Sequence, residues 1–283
     1  MKISIVIPVY NEADGLIACL EAIANQTIKP YEVIVVDNNS SDGTCQVARK
    51  FDFVKLAYEP KQGVVHARTK GFDMAKGDII ARIDGDSILP SEWLESVEEV
   101  FSDSSIDASS GIAQYYAVAG NRVIDASDLY FRRRLSEQLK QVNQVYLWGA
   151  NMAMRSSAWK KVRPHLCQKG NQHEDFDIAI HLQELGMKVT FDERLIANVS
   201  SRRIDTDFLS FMRYVMVSPK TYAQHGIKVK RYMYPIVAVC AIGYFPGYLL
   251  HKGYNPNLDK FSINRLLFNS TSVARVDPTT NVI

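Results

Sequence analysis

No pair of cysteines in this 283-residue chain has the spacing of a metal clasp or a redox motif. Cys19, Cys45, Cys167 and Cys240 are scattered. They are expected to be reduced, mostly buried thiols, which excludes a small disulfide-framed fold. No GxGxxG follows an apolar run, and that disfavours a nicotinamide oxidoreductase. No internal repeat or low-complexity tract is present. A leader peptide is not expected either, because Met1-Lys2 runs directly into an apolar segment. Two overlapping glycosylation sequons, at Asn38 and Asn39, fall in a predicted ligand loop that a glycan would block. These features suggest a cytoplasmic location.

There is also little net charge, only +2, but it is unevenly spread. Residues 201–283 hold 11 Lys and Arg against 4 Asp and Glu, and the first 200 hold 22 against 27. The C-terminal part is therefore expected either to meet something anionic or to present a solvated basic face. At 47% hydrophobic and 23% charged, the composition is that of an ordinary globular protein with one substantial core.

What is present is a repeated pattern of apolar strands that end in polar residues. Ile3-Ser4-Ile5-Val6-Ile7 runs into Pro8-Val9-Tyr10-Asn11-Glu12. Val33-Ile34-Val35-Val36 runs into Asp37-Asn38-Asn39-Ser40-Ser41-Asp42-Gly43-Thr44, and Ile79-Ile80-Ala81-Arg82-Ile83 into Asp84-Gly85-Asp86. Helical spacing follows each: Leu16, Ile17, Leu20 and Ile23 after a proposed Asn11 cap, then residues 43–51, and a helix opened by Pro90-Ser91 and running to Phe101. A third strand at 54–58 and a helix at 63–75 complete the series. Such βαβα alternation predicts an α/β fold with a parallel sheet, and ligands in open α/β sheets bind beyond the carboxyl ends of the strands. Farther on, the pattern predicts a strand or strand pair over 108–118, a helix over 125–142, a loop entering a strand at 148–154, a helix over 174–185 and a strand at 188–191.

Residues 232–250 are uncharged for 19 positions, with Lys228, Lys230 and Arg231 before them and His251 and Lys252 after. Pro235, Gly243, Pro246, Gly247 and four tyrosines interrupt the run. Breakers and aromatics favour an interfacial or re-entrant segment over a clean span, with soluble packing as the third possibility.

Taken in order, Pro8-Val9-Tyr10-Asn11-Glu12, the 37–44 loop, Gly63…Ala67-Arg68, Asp84-Gly85-Asp86 and His173-Glu174-Asp175 resemble a family 2 glycosyltransferase over roughly the first 200 residues. The resemblance implies the GT-A fold, a Rossmann-like, mostly parallel sheet flanked by helices. The catalytic domain would cover 1–205, and 206–283 would form a helical, hydrophobic extension. It also implies an inverting transfer from a nucleotide-diphosphate sugar, with Mg2+ or Mn2+ as cofactor.

Residue by residue, the resemblance places Asp37 against a uracil-like base, with Pro8, Tyr10, Glu12 and Asn39 shaping the nucleotide pocket and Arg68 near it. Asp86 is the direct metal ligand, with Asp84 beside it or nearer the ribose. Asp175 is preferred over Glu174 as the base that takes the acceptor's proton. Weaker expectations put Arg202 and Arg203 at the diphosphate or an anionic acceptor, and Gly149 and Asn151 at the donor sugar or acceptor.

The leading expectation is a UDP-sugar-dependent transferase of cell-envelope polysaccharide synthesis. It would act at the inner face of the membrane on a glycan or lipid-linked acceptor, with no nucleic-acid partner. Two alternatives stand beside it, a catalytically silent nucleotide-sugar binder and a sugar nucleotidyltransferase. The second lacks its glycine-rich phosphate loop after the first strand.

Overall fold

The computed structural model describes residues 1–116, 121–167, 172–255 and 260–263. The chain divides into two compact units, one of Met1–Ile112 with Gln144–Asn198, the other of Ala113–Asn143 with Val199–Val276.

The first unit is built on a seven-stranded sheet. Its strands are β1 (Ile3–Val9), β2 (Glu32–Asp37), β3 (Val54–Tyr58), β4 (Ile79–Ile83), β5 (Ala108–Tyr116), β6 (Asn151–Arg155) and β7 (Val189–Ser200). The order is β3-β2-β1-β4-β6-β5-β7. The first four strands are parallel; β6 runs antiparallel to both β4 and β5. The sheet is thus mixed, and its parallel half is the part that the βαβα pattern predicts.

Alternation along the strands sorts side chains onto two faces. Ile3, Ile5, Ile7, Val33, Val35, Ile79, Ala81 and Ile83 enter one core. They pack there with α1 (Ala13–Ala24), α2 (Thr44–Ala48) and α4 (Trp93–Phe101). Val6, Ile34, Val36 and Ile80 enter the other, against α3 (Val64–Met74), α6 (Ser156–Val162) and α7 (Glu174–Glu184). By the same parity Arg82 projects onto the α3 and α7 face.

Several boundaries differ from expectation. The helix predicted over 43–51 is only Thr44–Ala48, and the helix opened by Pro90 begins at Trp93. The last strand of the unit extends to Ser200, far beyond 191, and 108–116 is one strand, with 117–118 outside the described residues. Asn11 does not cap α1. It sits at φ 51°, a left-handed conformation that asparagine tolerates, and Glu12 precedes the helix without a side-chain cap. The free amides are met by the 40–44 loop instead. Ser40 Oγ accepts from Asn11 N–H at 2.9 Å, Thr44 Oγ1 from Glu12 N–H at 2.8 Å, and Asp42 Oδ2 from Ala13 N–H at 3.1 Å.

The second unit contains α5 (Asn121–Lys140), α8 (Phe208–Gln224) and α9 (Lys230–Gly253). Asp207 caps α8 by accepting from Ser210 N–H at 3.0 Å. Contrary to the reading of 232–250 as broken, α9 is continuous through Pro235 and Pro246. Each proline removes one backbone hydrogen bond, a local cost that the rest of the helix can carry. Tyr244 lies on the packed side, where its hydroxyl donates to Thr206 C=O at 2.6 Å and its ring meets Phe208 and Phe211. Val239, Ile242, Phe245 and Leu249 are exposed, Ile242 to 76%.

Glycine is required in β5. A Cβ on Gly111 would overlap the backbone carbonyl of Leu195, which cannot swing aside. Gly111→Ala is expected to destabilise the fold by about 1–3 kcal/mol, as overpacking does. Urea denaturation would show a lowered midpoint, while Gly43→Ala, which meets only ordinary contact at 3.6 Å, should leave it nearly unchanged.

Candidate active site

The parallel strands deliver three acidic residues to one edge of the sheet. Asp37 ends β2, and Asp84 and Asp86 follow β4. Asp37 is buried, and its Oδ1 has no hydrogen-bond partner among the described residues; Oδ2 accepts from Ser40 N–H at a long 3.4 Å, and the Cys45 thiol lies beside the carboxylate. A buried acceptor left open costs about 1–3 kcal/mol.

The loop around Asp37 is held by its asparagines. Asn38 donates to the carbonyls of Glu59 (2.9 Å) and Lys61 (2.8 Å) and accepts from Gly63 N–H at 2.7 Å. Asn39, at φ 65°, donates to Pro60 C=O at 2.7 Å and accepts from Tyr58 Oη. Its side chain braces the loop that precedes α3. Pro8 and Tyr10 are half-buried at the end of β1.

Asp86 and Glu12 are both buried and packed together: a side chain on Gly15 would strike Glu12 Oε1 and Asp86 Cβ. Asp84 is a quarter exposed. Burial is the main cause that holds the Cys19 thiol protonated, and the charges of Asp86, Glu12 and Asp84 add to it. The charges of all three carboxylates are thus felt at Cys19. An all-oxygen set of this kind suits a hard divalent cation.

On the other face of the sheet, Arg82 joins β4 to α7. Its Nη1 donates to Glu174 Oε1 at 2.7 Å and its Nη2 to Asp84 Oδ1 at 3.4 Å. Sequence reasoning passed over this arginine. The available signal was a lone guanidinium inside an otherwise apolar strand. Gly149 is needed because any side chain there would overlap the Arg82 guanidinium. Arg68 is buried close by, with Nε and Nη1 lacking partners among the described residues. Burial lowers its pKa to about 10, against the partly restoring charge of Glu174.

The adjacent acids of α7 differ. Burial raises the Glu174 pKa, but Arg82 and Arg68 overcome that and hold it below the usual carboxylate value. Asp175 is raised, first by burial and then by the Glu174 charge. Its Oδ2 accepts from Gly149 N–H at 2.7 Å and its Oδ1 from Phe176 N–H at 2.9 Å. Gly149 thus contributes through its backbone.

Asn151 must be corrected. It is fully buried, donates to the carbonyls of Ile112 (3.0 Å) and Leu195 (2.8 Å), and accepts from Trp93 Nε1 at 3.0 Å. Its amide is committed to holding the sheet and α4 together, so none of it reaches a donor or acceptor. Arg202 lies in the second unit, in a turn over Arg202–Asp205; the side chain of Arg203 lies outside the described residues.

The Arg82–Glu174 pair should dominate local stability. Arg82→Met leaves a buried carboxylate without its cation and is expected to cost about 3–5 kcal/mol, while the double variant Arg82→Met/Glu174→Leu recovers most of that. Because the Glu174 pKa is depressed, its contribution is present above the unfolded carboxylate value of about 4.3 and is lost as pH falls through the folded value. Urea midpoints of the three proteins between neutral and acid pH check both points.

A model of glycosyl transferase family 2 matches residues 4–163. Glycosyltransferase AglE of Haloferax volcanii is 32% identical over 181 residues, 60% of this chain and 59% of that protein. The match thus spans under two thirds of that relative's length. The glucosyl-dolichyl phosphate glucuronosyltransferase of the same organism is 23% identical over 243 residues, 76% of this chain and 74% of that one. The mannosyltransferase PcManGT of Pyrobaculum calidifontis, solved with GDP-Man and Mn2+, is similar with a TM-score of 0.65 at 17% identity, covering 88% of this chain and 73% of that one. Likeness at that identity speaks for the fold, and the fold is GT-A. The family model spans more than half of the chain and takes in Asp37, Asp84 and Asp86, so this chain belongs to glycosyl transferase family 2.

Proposed function

We propose that this chain is an inverting, metal-dependent glycosyltransferase, with residues 1–205 as its catalytic domain. It moves a sugar from a UDP-sugar to a hydroxyl of a lipid-linked or polysaccharide acceptor. The observation that carries the reading is Asp175, a buried carboxylate aimed by two backbone amides and raised in pKa beside a Glu174 that is fixed as an ion pair. Support for a nucleotide-sugar donor and a divalent cation comes from PcManGT, whose structure holds GDP-Man and Mn2+. Support for a lipid-linked acceptor comes from the dolichyl phosphate named for the glucuronosyltransferase.

In this reading Asp37 Oδ1 accepts an N–H of the base. Pro8, Tyr10 and Glu12 line the nucleoside, with Asn39 bracing the loop. The unpartnered donors of Arg68 face the anionic half of the nucleotide. Asp86, with Asp84, holds the divalent cation, which supplies positive charge to the departing diphosphate. Asp175 orients the acceptor hydroxyl and takes its proton as the oxygen attacks the anomeric carbon from the side opposite the leaving group. Two of its lone pairs are used by the backbone amides, and two remain for that proton. Glu174 stays charged against Arg82 and takes no part in the transfer.

Calorimetric titration with UDP, GDP and ADP, each with and without Mn2+, tests the donor site. Metal-dependent binding of UDP is expected, and its loss in Asp86→Ala. A preference for GDP would change the donor, and no binding by any of the three would overturn the transferase reading. Asp175→Asn is expected to bind the nucleotide within a few-fold of wild type while losing transfer by about 10²–10⁴-fold. The wild-type rate should rise with pH through a midpoint above the ordinary aspartate value of about 3.9, since protonated Asp175 cannot act as base. An unchanged rate in Asp175→Asn would place the base elsewhere.

The membrane reading rests on α9. Its segment Met233–Gly253 is long and apolar enough to cross a bilayer by length and composition, and only 17% of its most apolar window is buried. With Lys228 and Arg231 exposed at its start, we place this helix at the cytoplasmic membrane surface. The wild-type chain should sediment with anionic phospholipid vesicles, and Ile242→Asp/Phe245→Asp should not. A wild-type protein that stays in the supernatant overturns the assignment.

A further inference from the structure

We infer that Cys167, Asp177 and His181 form a binding site for a thiophilic divalent metal such as Zn2+, separate from the oxygen-only site at Asp84 and Asp86. Asp177 and His181 are four residues apart on α7 and so share one face. Cys167 comes back onto that face ahead of the helix. Its Sγ lies 3.8 Å from His181 Nε2, and His181 Nε2 lies 3.5 Å from Asp177 Oδ1. All three ligand atoms are within 4.8 Å of one another. Bond lengths of about 2.0–2.3 Å at a tetrahedral angle put neighbouring ligand atoms roughly 3.3–3.6 Å apart. The two separations that involve His181 Nε2 need to change by only a few tenths of an ångström, and the Cys167–Asp177 separation closes from no more than 4.8 Å.

Groups around the ligands orient them toward one another. His181 Nδ1 is 2.7 Å from Glu184 Oε2. With Nδ1 turned to Glu184, Nε2 is the ring nitrogen that faces the thiol and Asp177, as in the carboxylate–histidine–metal arrangement of many zinc sites. Asp177 Oδ2 accepts from Cys167 N–H at 3.0 Å, which holds the carboxylate against the cysteine. The Asp177 carboxylate is only 1% exposed, so it depends on nearby donors or positive charge rather than on water. Sulfur, nitrogen and oxygen together select Zn2+ or a neighbouring transition metal over Mg2+. A metal takes the Cys167 sulfur as thiolate, so the thiol proton leaves on binding.

Sequence reading found no metal spacing because the ligands come from a loop cysteine, an acid in the first turn of a helix and a histidine one turn later. A bound ion would tie residue 167 to α7 close behind Asp175, and so would help fix the helix start that carries the proposed base.

The test is a Co2+ titration of the full chain, free of any histidine tag, followed by absorption. One equivalent is expected to give a thiolate-to-cobalt charge-transfer band that Zn2+ abolishes. Cys167→Ser should remove the band and His181→Gln should weaken binding at least 100-fold. Glu184→Gln should weaken it about 10-fold. Asp86→Ala should keep the band in full, which separates this site from the donor site. Circular dichroism without metal checks that the variants fold. Should Cys167→Ser fail to fold, Zn2+ protection of Cys167 against iodoacetamide in the wild-type chain, mapped by mass spectrometry, gives the same answer. No band in the wild type, a band that survives Cys167→Ser, or no protection overturns the site.

Discussion

The buried ion pair between Arg82 and Glu174 is the constraint around which the candidate site is arranged. A guanidinium and a carboxylate removed from water are costly apart and tolerable together only at good geometry, and here the bond is 2.7 Å. Strand parity sends Arg82 to the α7 face of the sheet, and Glu174 opens α7. The pair therefore joins the strand that carries Asp84 and Asp86 to the helix that carries Asp175. It also divides the labour of two adjacent acids. Glu174 absorbs the positive field and stays ionised, while Asp175 has the Glu174 charge beside it and is left more basic. Gly149 follows from the same requirement, since the guanidinium occupies the space a side chain would need and the backbone N–H then meets Asp175.

A second ordering principle is that polar side chains substitute for regular structure at the strand ends. The start of α1 has no side-chain cap of its own and takes its acceptors from Ser40, Asp42 and Thr44, on the loop after β2. Asn38 gathers the backbone of residues 59–63 in front of α3. Each bond is worth about 1 kcal/mol, but together they fix loops that would otherwise be free to move. Asp37 sits inside this bracing with one oxygen left open. Preorganisation of this kind suits a pocket that must recognise a base without paying again for loop order.

The parallel half of the fold was legible because its signals are local. Apolar runs of strand length ended in acids or asparagines, and helical periodicity followed each. Asp37, Asp84, Asp86 and the Glu174-Asp175 pair stood out for the same reason. What could not be read depends on partners distant in sequence. Arg82 and Glu174 are 92 residues apart, and an arginine in a strand carries no mark of its partner. Asn151 was expected at the donor sugar or acceptor because a polar amide in a loop entering a strand has the groups of a ligand contact. Only the structure shows Trp93, Ile112 and Leu195 occupying all of it. The insertion of β6 antiparallel between β4 and β5 was equally hidden, since strand direction within a sheet is set by tertiary pairing. The prolines of α9 suggested a break, but the apolar packing of Tyr244 with Phe208 and Phe211 holds the helix through them.

Two ligand sets of opposite character flank the start of the chemistry. Glu12, Asp84 and Asp86 bring hard, oxygen-only groups to the ends of the parallel strands. Cys167 with Asp177 and His181 of α7 forms a borderline-soft cluster. A site's affinity for transition metals rises with nitrogen and sulfur ligands, whereas Mg2+ and Mn2+ favour carboxylates and exchangeable water. Ligand chemistry alone therefore lets the two positions coexist without competing for one ion. In the proposed function, a cation at the strand ends would come and go with the diphosphate whose charge it offsets. One held by thiolate and imidazole has no such reason to leave, and it would act on the reaction only through the position of α7.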